Sequence, residues 1–98
     1  MTYEIKVSTF AKTDRQDIVR YLEQYSVNAP NRFKQELKKY IRIVCENPYI
    51  FSENYVNPNY RSVVIYGSYV MFYTVDETAK MIFVYRILHG SQNIEQIL

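Results

Sequence analysis

Three runs crowded with β-branched and aromatic residues, Tyr60 to Tyr66, Tyr69 to Val75 and Met81 to Leu88, constrain this chain more than anything else in it. Such side chains suit a pleated, half-buried surface, and the breaks between the runs carry Gly67-Ser68 and the polar stretch Asp76 to Lys80. The pattern predicts three consecutive antiparallel strands. Gly67-Ser68 fits a two-residue type II′ hairpin, because Gly accepts positive φ at the first central position. That turn pairs Tyr66 with Tyr69, Val64 with Met71 and Ser62 with Tyr73. One face then carries Tyr60, Val64, Tyr66, Tyr69, Met71, Tyr73, Phe83 and Tyr85. The other carries Arg61, Val63, Ile65, Val70, Phe72, Thr74, Ile82, Val84 and Arg86. A slip of one residue inverts the assignment.

Everything upstream must cover one face of this platform. Tyr3 to Val7 alternates as a short strand. Ser8 stands where a helix N-cap belongs, and Thr13 with Gln16 offers a second, capping-box start. Ala11, Ile18, Leu22 and Tyr25 recur at helical spacing up to a stop near Ser26. Asn28 is the expected N-cap of a second helix, with Pro30 tolerated in its first turn. There Ala29, Phe33, Leu37, Tyr40, Ile41 and Val44 form an apolar stripe, and Arg32, Lys34, Lys38, Lys39 and Arg42 occupy the rest. The helix ends before Asn47-Pro48, and Tyr49 to Asn59 reads as a surface loop.

The expected class is α+β in the order β-α-α-β-β-β. An N-terminal helical hairpin packs on a mainly antiparallel sheet, and a short helical turn is possible from Asn93. At 98 residues the chain reads as one domain, residues 1–98, with room for a single core. With both faces apolar in the centre and only one covered, the free face should expose a patch for a partner.

Composition excludes several classes. The formal net charge of +2 permits an acidic partner without demanding one. No apolar run reaches the roughly 18–20 residues of a membrane span, and the start lacks the pattern of a signal peptide. The lone Cys45 has no internal disulfide partner and reads as a small core hydrophobe in a reducing, cytoplasmic setting. With one His and one Cys no metal site is expected. Two glycines, Gly67 and Gly90, cannot build a phosphate-cradling loop, so no cofactor is expected.

A few residues stand out chemically. Arg61 and Arg86 lie inside apolar strands, where a charge needs a partner or an edge. Pairing with Glu95, Glu53 or a partner's carboxylate is one reading, and direct contact with a target is the other. His89 can serve as general acid or base, or cap a strand end. Ser91 follows His89, but nothing supplies the orienting acid and oxyanion hole of a triad.

The ending, Arg86-Ile87-Leu88-His89-Gly90-Ser91-Gln92-Asn93-Ile94-Glu95-Gln96-Ile97-Leu98, resembles the close of ParE toxins, the plasmid-stabilisation branch of the RelE/ParE superfamily. Ser8, Ala11, Asp14, Ile18, Tyr21 and Leu22 match that branch's first helix, with Arg15 where Leu is usual. Asn47-Pro48, Arg61 and Tyr69 to Asp76 match its helix exit, the opening of its second strand and its third strand. The resemblance implies a toxin of a bacterial type II toxin–antitoxin module. The implied partner is a cognate antitoxin, of ribbon-helix-helix type with a disordered C-terminal tail.

The RelE branch cuts mRNA on the ribosome, and the ParE branch inhibits DNA gyrase. Attack by a 2′-hydroxyl needs a base, an acid and cations around the phosphorane. The positions that carry these groups in RelE-like enzymes read Arg61, Val63, Val70, Gln92 and Leu98 here. Four of these five cannot do that work, so the expectation is a gyrase-binding toxin with no catalysis of its own. Neither membrane contact nor direct nucleic-acid binding is expected, except through the antitoxin complex. Arg61 and Arg86 are expected as charged anchors near the target or antitoxin, with His89, Gln92 and Glu95 shaping the C-terminal edge. The alternatives are a RelE-like ribosome-dependent endoribonuclease using Arg61, His89 and Glu95, and a non-toxic member that only binds antitoxin.

Overall fold

The computed structural model describes residues 2–98. β1 (Glu4–Val7) leads directly into α1 (Thr9–Glu23), and the link between them is Ser8. Its Oγ accepts the backbone N–H of Ala11 at 3.0 Å, satisfying one of the unpaired donors of the first turn. Its own N–H donates to the Val84 carbonyl at 2.9 Å, so the same residue caps the helix and pins it to the sheet. The alternative start at Thr13 is not used. α2 (Ala29–Glu46) begins at Asn28 with Pro30 in its first turn. Asn28 makes no side-chain cap bond; instead Ser26 Oγ accepts the Asn28 N–H at 3.2 Å.

The remaining elements are β2 (Arg61–Ile65), β3 (Tyr69–Asp76), β4 (Met81–His89) and a single turn, α3 (Ile94–Ile97). The sheet order is β1-β4-β3-β2, with β1 parallel to β4 and the other pairs antiparallel. The α+β class and the helical hairpin packed on the sheet are as expected. Phe33, Leu37 and Val44 of α2 and Ala11, Ile18 and Leu22 of α1 are buried in one cluster with Val63, Ile65, Tyr69, Met71, Tyr73, Ile82, Val84 and Ile87. Among the described residues no helix is long and apolar enough to cross a membrane.

The register differs by one residue from the hairpin expected at Gly67-Ser68. Ile65, not Tyr66, pairs with Tyr69, and Val63 pairs with Met71. The turn is longer because Tyr66 leaves the strand at φ 54° and Gly67 follows at φ 73°. Left-handed backbone at Gly67 is cheap; at Tyr66 it is tolerated because Glu36 of α2 accepts the Tyr66 N–H at 2.8 Å. The slip places Val63 and Ile65 under the helices and turns Val64 outward.

A second irregularity lies in β4. Phe72 pairs with Arg86 and Tyr73 with Val84, so Tyr85 is an extra residue that bulges the strand. Beyond it the burial phase shifts from Ile82 and Val84 to Ile87. The far face is also less bare than expected, because Phe72 and Leu88 are fully buried there. Tyr60 stacks on Tyr85 with ring centroids 5.2 Å apart. In the loop before β2, buried Asn54 donates to Ser62 Oγ while its Oδ1 accepts the N–H groups of Val56 and Asn57.

Candidate functional site

Strand pairing separates the residues that the sequence groups together. His89 lies opposite Tyr69 and Arg61 opposite Tyr73, four positions further along β3 and roughly 13 Å away along the strand. Two clusters result, one at each end of the sheet.

At the first end the chain leaves β4 through a tight turn. The Gly90 N–H donates to the Ser68 carbonyl at 2.8 Å, joining this turn to the β2–β3 hairpin. Gln92 folds back, its Oε1 accepting the His89 N–H at 2.8 Å while its own N–H donates to the His89 carbonyl at 3.0 Å. The Ser91 N–H donates to His89 Nδ1 at 3.1 Å. The ring meets Tyr69 edge-on at 5.4 Å. Residues Asp17, Ile18 and Tyr21 of α1 face Tyr69, His89 and Ser91 across an open cavity of about 310 Å³. The structure thus brings His89 and Gln92 together, whereas Glu95 sits exposed in the first turn of α3.

The two strand arginines are held by their own chain. Arg86 makes a two-pronged contact with Asp14, Nε to Oδ2 at 2.8 Å and Nη2 to Oδ1 at 2.9 Å. Asp14 Oδ2 also accepts the Ile87 N–H at 3.0 Å, an edge donor that β1 is too short to reach. Hydrogen bonding to Asp14 raises the Arg86 pKa still further. Arg61 donates from Nη1 to the Phe51 carbonyl at 2.8 Å and lies over the Tyr49 ring, 4.9 Å from its centroid. Neither of the acids expected from the sequence, Glu53 and Glu95, forms an ion pair with an arginine among the described residues.

The second end is organised by Glu77, which sequence reading passed over. Its carboxylate accepts hydrogen bonds from Lys80 Nζ at 2.6 Å, from the Tyr3 hydroxyl at 2.5 Å and from the Tyr49 hydroxyl. Lys80 first, then Tyr3 and Tyr49, pull its pKa down to about 2 from an ordinary 4.5. Because the folded value is depressed, the contacts stabilise the fold above the unfolded carboxylate's pKa and are lost as pH falls toward 2. An acid titration of wild type should therefore show a fall in stability between pH 4.5 and about 2 that is reduced in Glu77→Gln. Superimposable curves would show that the exposed carboxylate adds nothing. Nearby, the Tyr73 hydroxyl donates to the Pro48 carbonyl at 2.9 Å, and burial pushes its pKa up to about 12.

The strand signal for Arg86 was in the sequence, since an arginine in an apolar run demands an acid, but nothing in the spacing points to Asp14. Burial raises the Cys45 thiol pKa, in keeping with an unreactive position. No group of His, Cys, Asp and Glu able to hold a metal occurs among the described residues.

Solved structures share this arrangement. A chain of the RelBE2 toxin–antitoxin complex from Mycobacterium tuberculosis matches with a TM-score of 0.68 at 15% identity, covering 91% of this chain and 99% of that one. A mutant of the E. coli toxin RelE in the free state matches with a TM-score of 0.69 at 17% identity, over 99% of this chain and 93% of that one. The intact E. coli RelBE complex contributes a chain with a TM-score of 0.64 at 17% identity, covering 92% and 99% respectively. At such identities the likeness concerns the fold alone. No curated protein sequence matches. The sequence profile described as ParE toxin of type II toxin–antitoxin system, parDE, matches residues 5–94. That match runs from the first strand into α3 and includes every element that positions the His89 turn and the Asp14–Arg86 clasp, so this chain belongs to the ParE toxin family of type II toxin–antitoxin systems.

Proposed function

We propose that residues 1–98 act as one toxin unit that works in the cytoplasm by binding a protein, with DNA gyrase as its target. A cognate antitoxin of ribbon-helix-helix type, with a disordered C-terminal tail, neutralises it, and the pair serves plasmid stabilisation. The observation that carries this reading is the internal commitment of both strand arginines. A phosphorane needs cations free to approach it, and Arg86 is engaged by Asp14 while Arg61 is engaged by Phe51 and Tyr49. Val63 is buried beneath the helices, and the Gln92 side-chain oxygen accepts the His89 backbone N–H. In this reading His89, Gln92 and Glu95 form the edge that meets the partner, while Arg86, clasped by Asp14, and Arg61, at the other end of the sheet, are further charged anchors for target or antitoxin. In a supercoiling assay the purified toxin inhibits gyrase at micromolar concentration, and added antitoxin reverses the effect. Full supercoiling in the presence of folded toxin would remove gyrase as the target.

A ribosome-dependent endoribonuclease is the second reading, favoured by one feature. His89 is held through Nδ1 and makes no hydrogen bond through Nε2 among the described residues, leaving that nitrogen available for proton transfer. Primer extension on translated mRNA after induction separates the two, because only the nuclease leaves discrete cuts. Arg61→Ala abolishes cutting if that arginine grips a phosphate, whereas it only weakens a protein-binding toxin.

A further inference from the structure

The cavity beside His89 has a chemistry of its own. Asp17 and Tyr21 are spaced i, i+4 on α1, so both project from the same side of the helix, with Ile18 between them. Tyr69, His89 and Ser91 form the opposing wall. At about 310 Å³ the space lies at the low end for small-molecule pockets. Its walls are largely aromatic and apolar, and its one formal charge is the Asp17 carboxylate. No lysine or arginine lines it.

The Asp17 carboxylate is also free to change partners. Among the described residues its ion pair is with Arg20 at 3.8 Å, and the two side chains are 63% and 75% exposed. An ion pair that long and that wet contributes little. Around the mouth, Tyr25 packs on Tyr21 with centroids 5.0 Å apart. Tyr25 is 69% exposed, so an aromatic surface continues outward from Tyr21. Exposed tyrosines surrounding a pocket are the usual composition of an interface hot spot.

From this geometry we propose that the cavity between Asp17, Tyr21 and Tyr69 receives an arginine side chain from a protein partner. The guanidinium stacks on the exposed Tyr21 ring and its fork meets the Asp17 carboxylate, while the partner's neighbouring apolar residues cover Tyr25. Arginine suits the site better than lysine, because a planar fork both stacks on a ring and pairs with a carboxylate. The proposal rests on the reading of the His89 end as the partner-contact surface of a protein-binding toxin, and it names what that surface recognises.

The test is an NMR titration of the labelled full-length protein with N-acetyl-arginine methylamide, run beside its citrulline analogue, which keeps the shape and loses the charge. The expected result is saturable shifts at Tyr21, Tyr69 and His89 with the arginine compound and none with citrulline. Asp17→Asn should weaken the arginine compound about threefold, and Tyr21→Ala should remove the saturable response. Both residues are exposed on α1 at positions outside the core cluster, so both variants should keep the wild-type fold, read from the same spectra. Equal responses to arginine and citrulline, or an unchanged affinity in Asp17→Asn, overturn the proposal. The supercoiling assay keeps the two readings apart. A wild-type protein that inhibits gyrase without arginine-specific shifts refutes the cavity alone. Arginine-specific shifts in a protein that leaves gyrase untouched uphold the cavity and remove gyrase as the target.

Discussion

Asp14→Ala is expected to cost about 3 kcal/mol of unfolding free energy, an effect far larger than an isolated surface ion pair provides. Three donors lose their acceptor together: Arg86 Nε, Arg86 Nη2 and the Ile87 N–H. The pair is sheltered, with 20% of the Arg86 side chain and 11% of the Asp14 side chain exposed, so water restores only part of what is lost. The cost has a topological origin. β1 accompanies β4 only as far as Val84, and Tyr85 then bulges, leaving the next stretch of β4 without a neighbouring strand. Asp14, one turn and a half into α1, substitutes for that strand. Urea unfolding of wild type, Asp14→Ala, Arg86→Met and the double variant would give a coupling energy of about 1–2 kcal/mol. A double variant that loses the full sum of the two single losses would show that Asp14 and Arg86 act independently.

Phe33→Ala should be more damaging, at about 3–5 kcal/mol. Phe33 is completely buried, and the edge-to-face contacts it makes with Tyr66 and Tyr69 have centroid separations of 6.3 and 5.4 Å. Through Tyr69 it reaches His89, whose ring meets Tyr69 edge-on. The variant therefore links stability to the candidate site. Its midpoint in urea should fall sharply, and at temperatures where it stays folded the His89 ring resonances should shift from wild type. A loss below about 1 kcal/mol would mean that the core collapses around the missing ring, against the packing described above.

Periodicity carried much of the fold because helices and strands are local decisions. The stripe Ala29, Phe33, Leu37, Val44 reads as a buried helix face in the sequence and is one in the structure. The cap at Ser8 is equally local. The register error at Tyr66 has a different character. Gly67 announces a turn, but whether that turn takes two residues or three depended on Glu36, thirty positions upstream, accepting the Tyr66 N–H. No pattern within the hairpin contains that bond. The bulge at Tyr85 is similar, since an unbroken apolar run conceals an extra residue that appears only when Phe72 and Tyr73 are paired across it.

The candidate site divides in the same way. The His89-Gly90-Ser91-Gln92 turn is built from near neighbours, and its residues could be named from the chain alone. Glu77 could not, because Tyr3 and Tyr49 reach it from far along the sequence and Glu77 itself lies in what reads as a solvated turn. The sequence by itself determined which segments become helix and strand, which faces are apolar, and the family to which the chain belongs. Tertiary structure alone decided where the charges end up. The partner of Arg86 lies 72 residues away, and that of Arg61 is a loop carbonyl rather than an acid. Backbone preference and hydrophobic period act over a few residues and leave a trace in composition. A buried charge takes whichever acceptor the assembled fold brings within about 3 Å, and that choice is made only after the elements have packed.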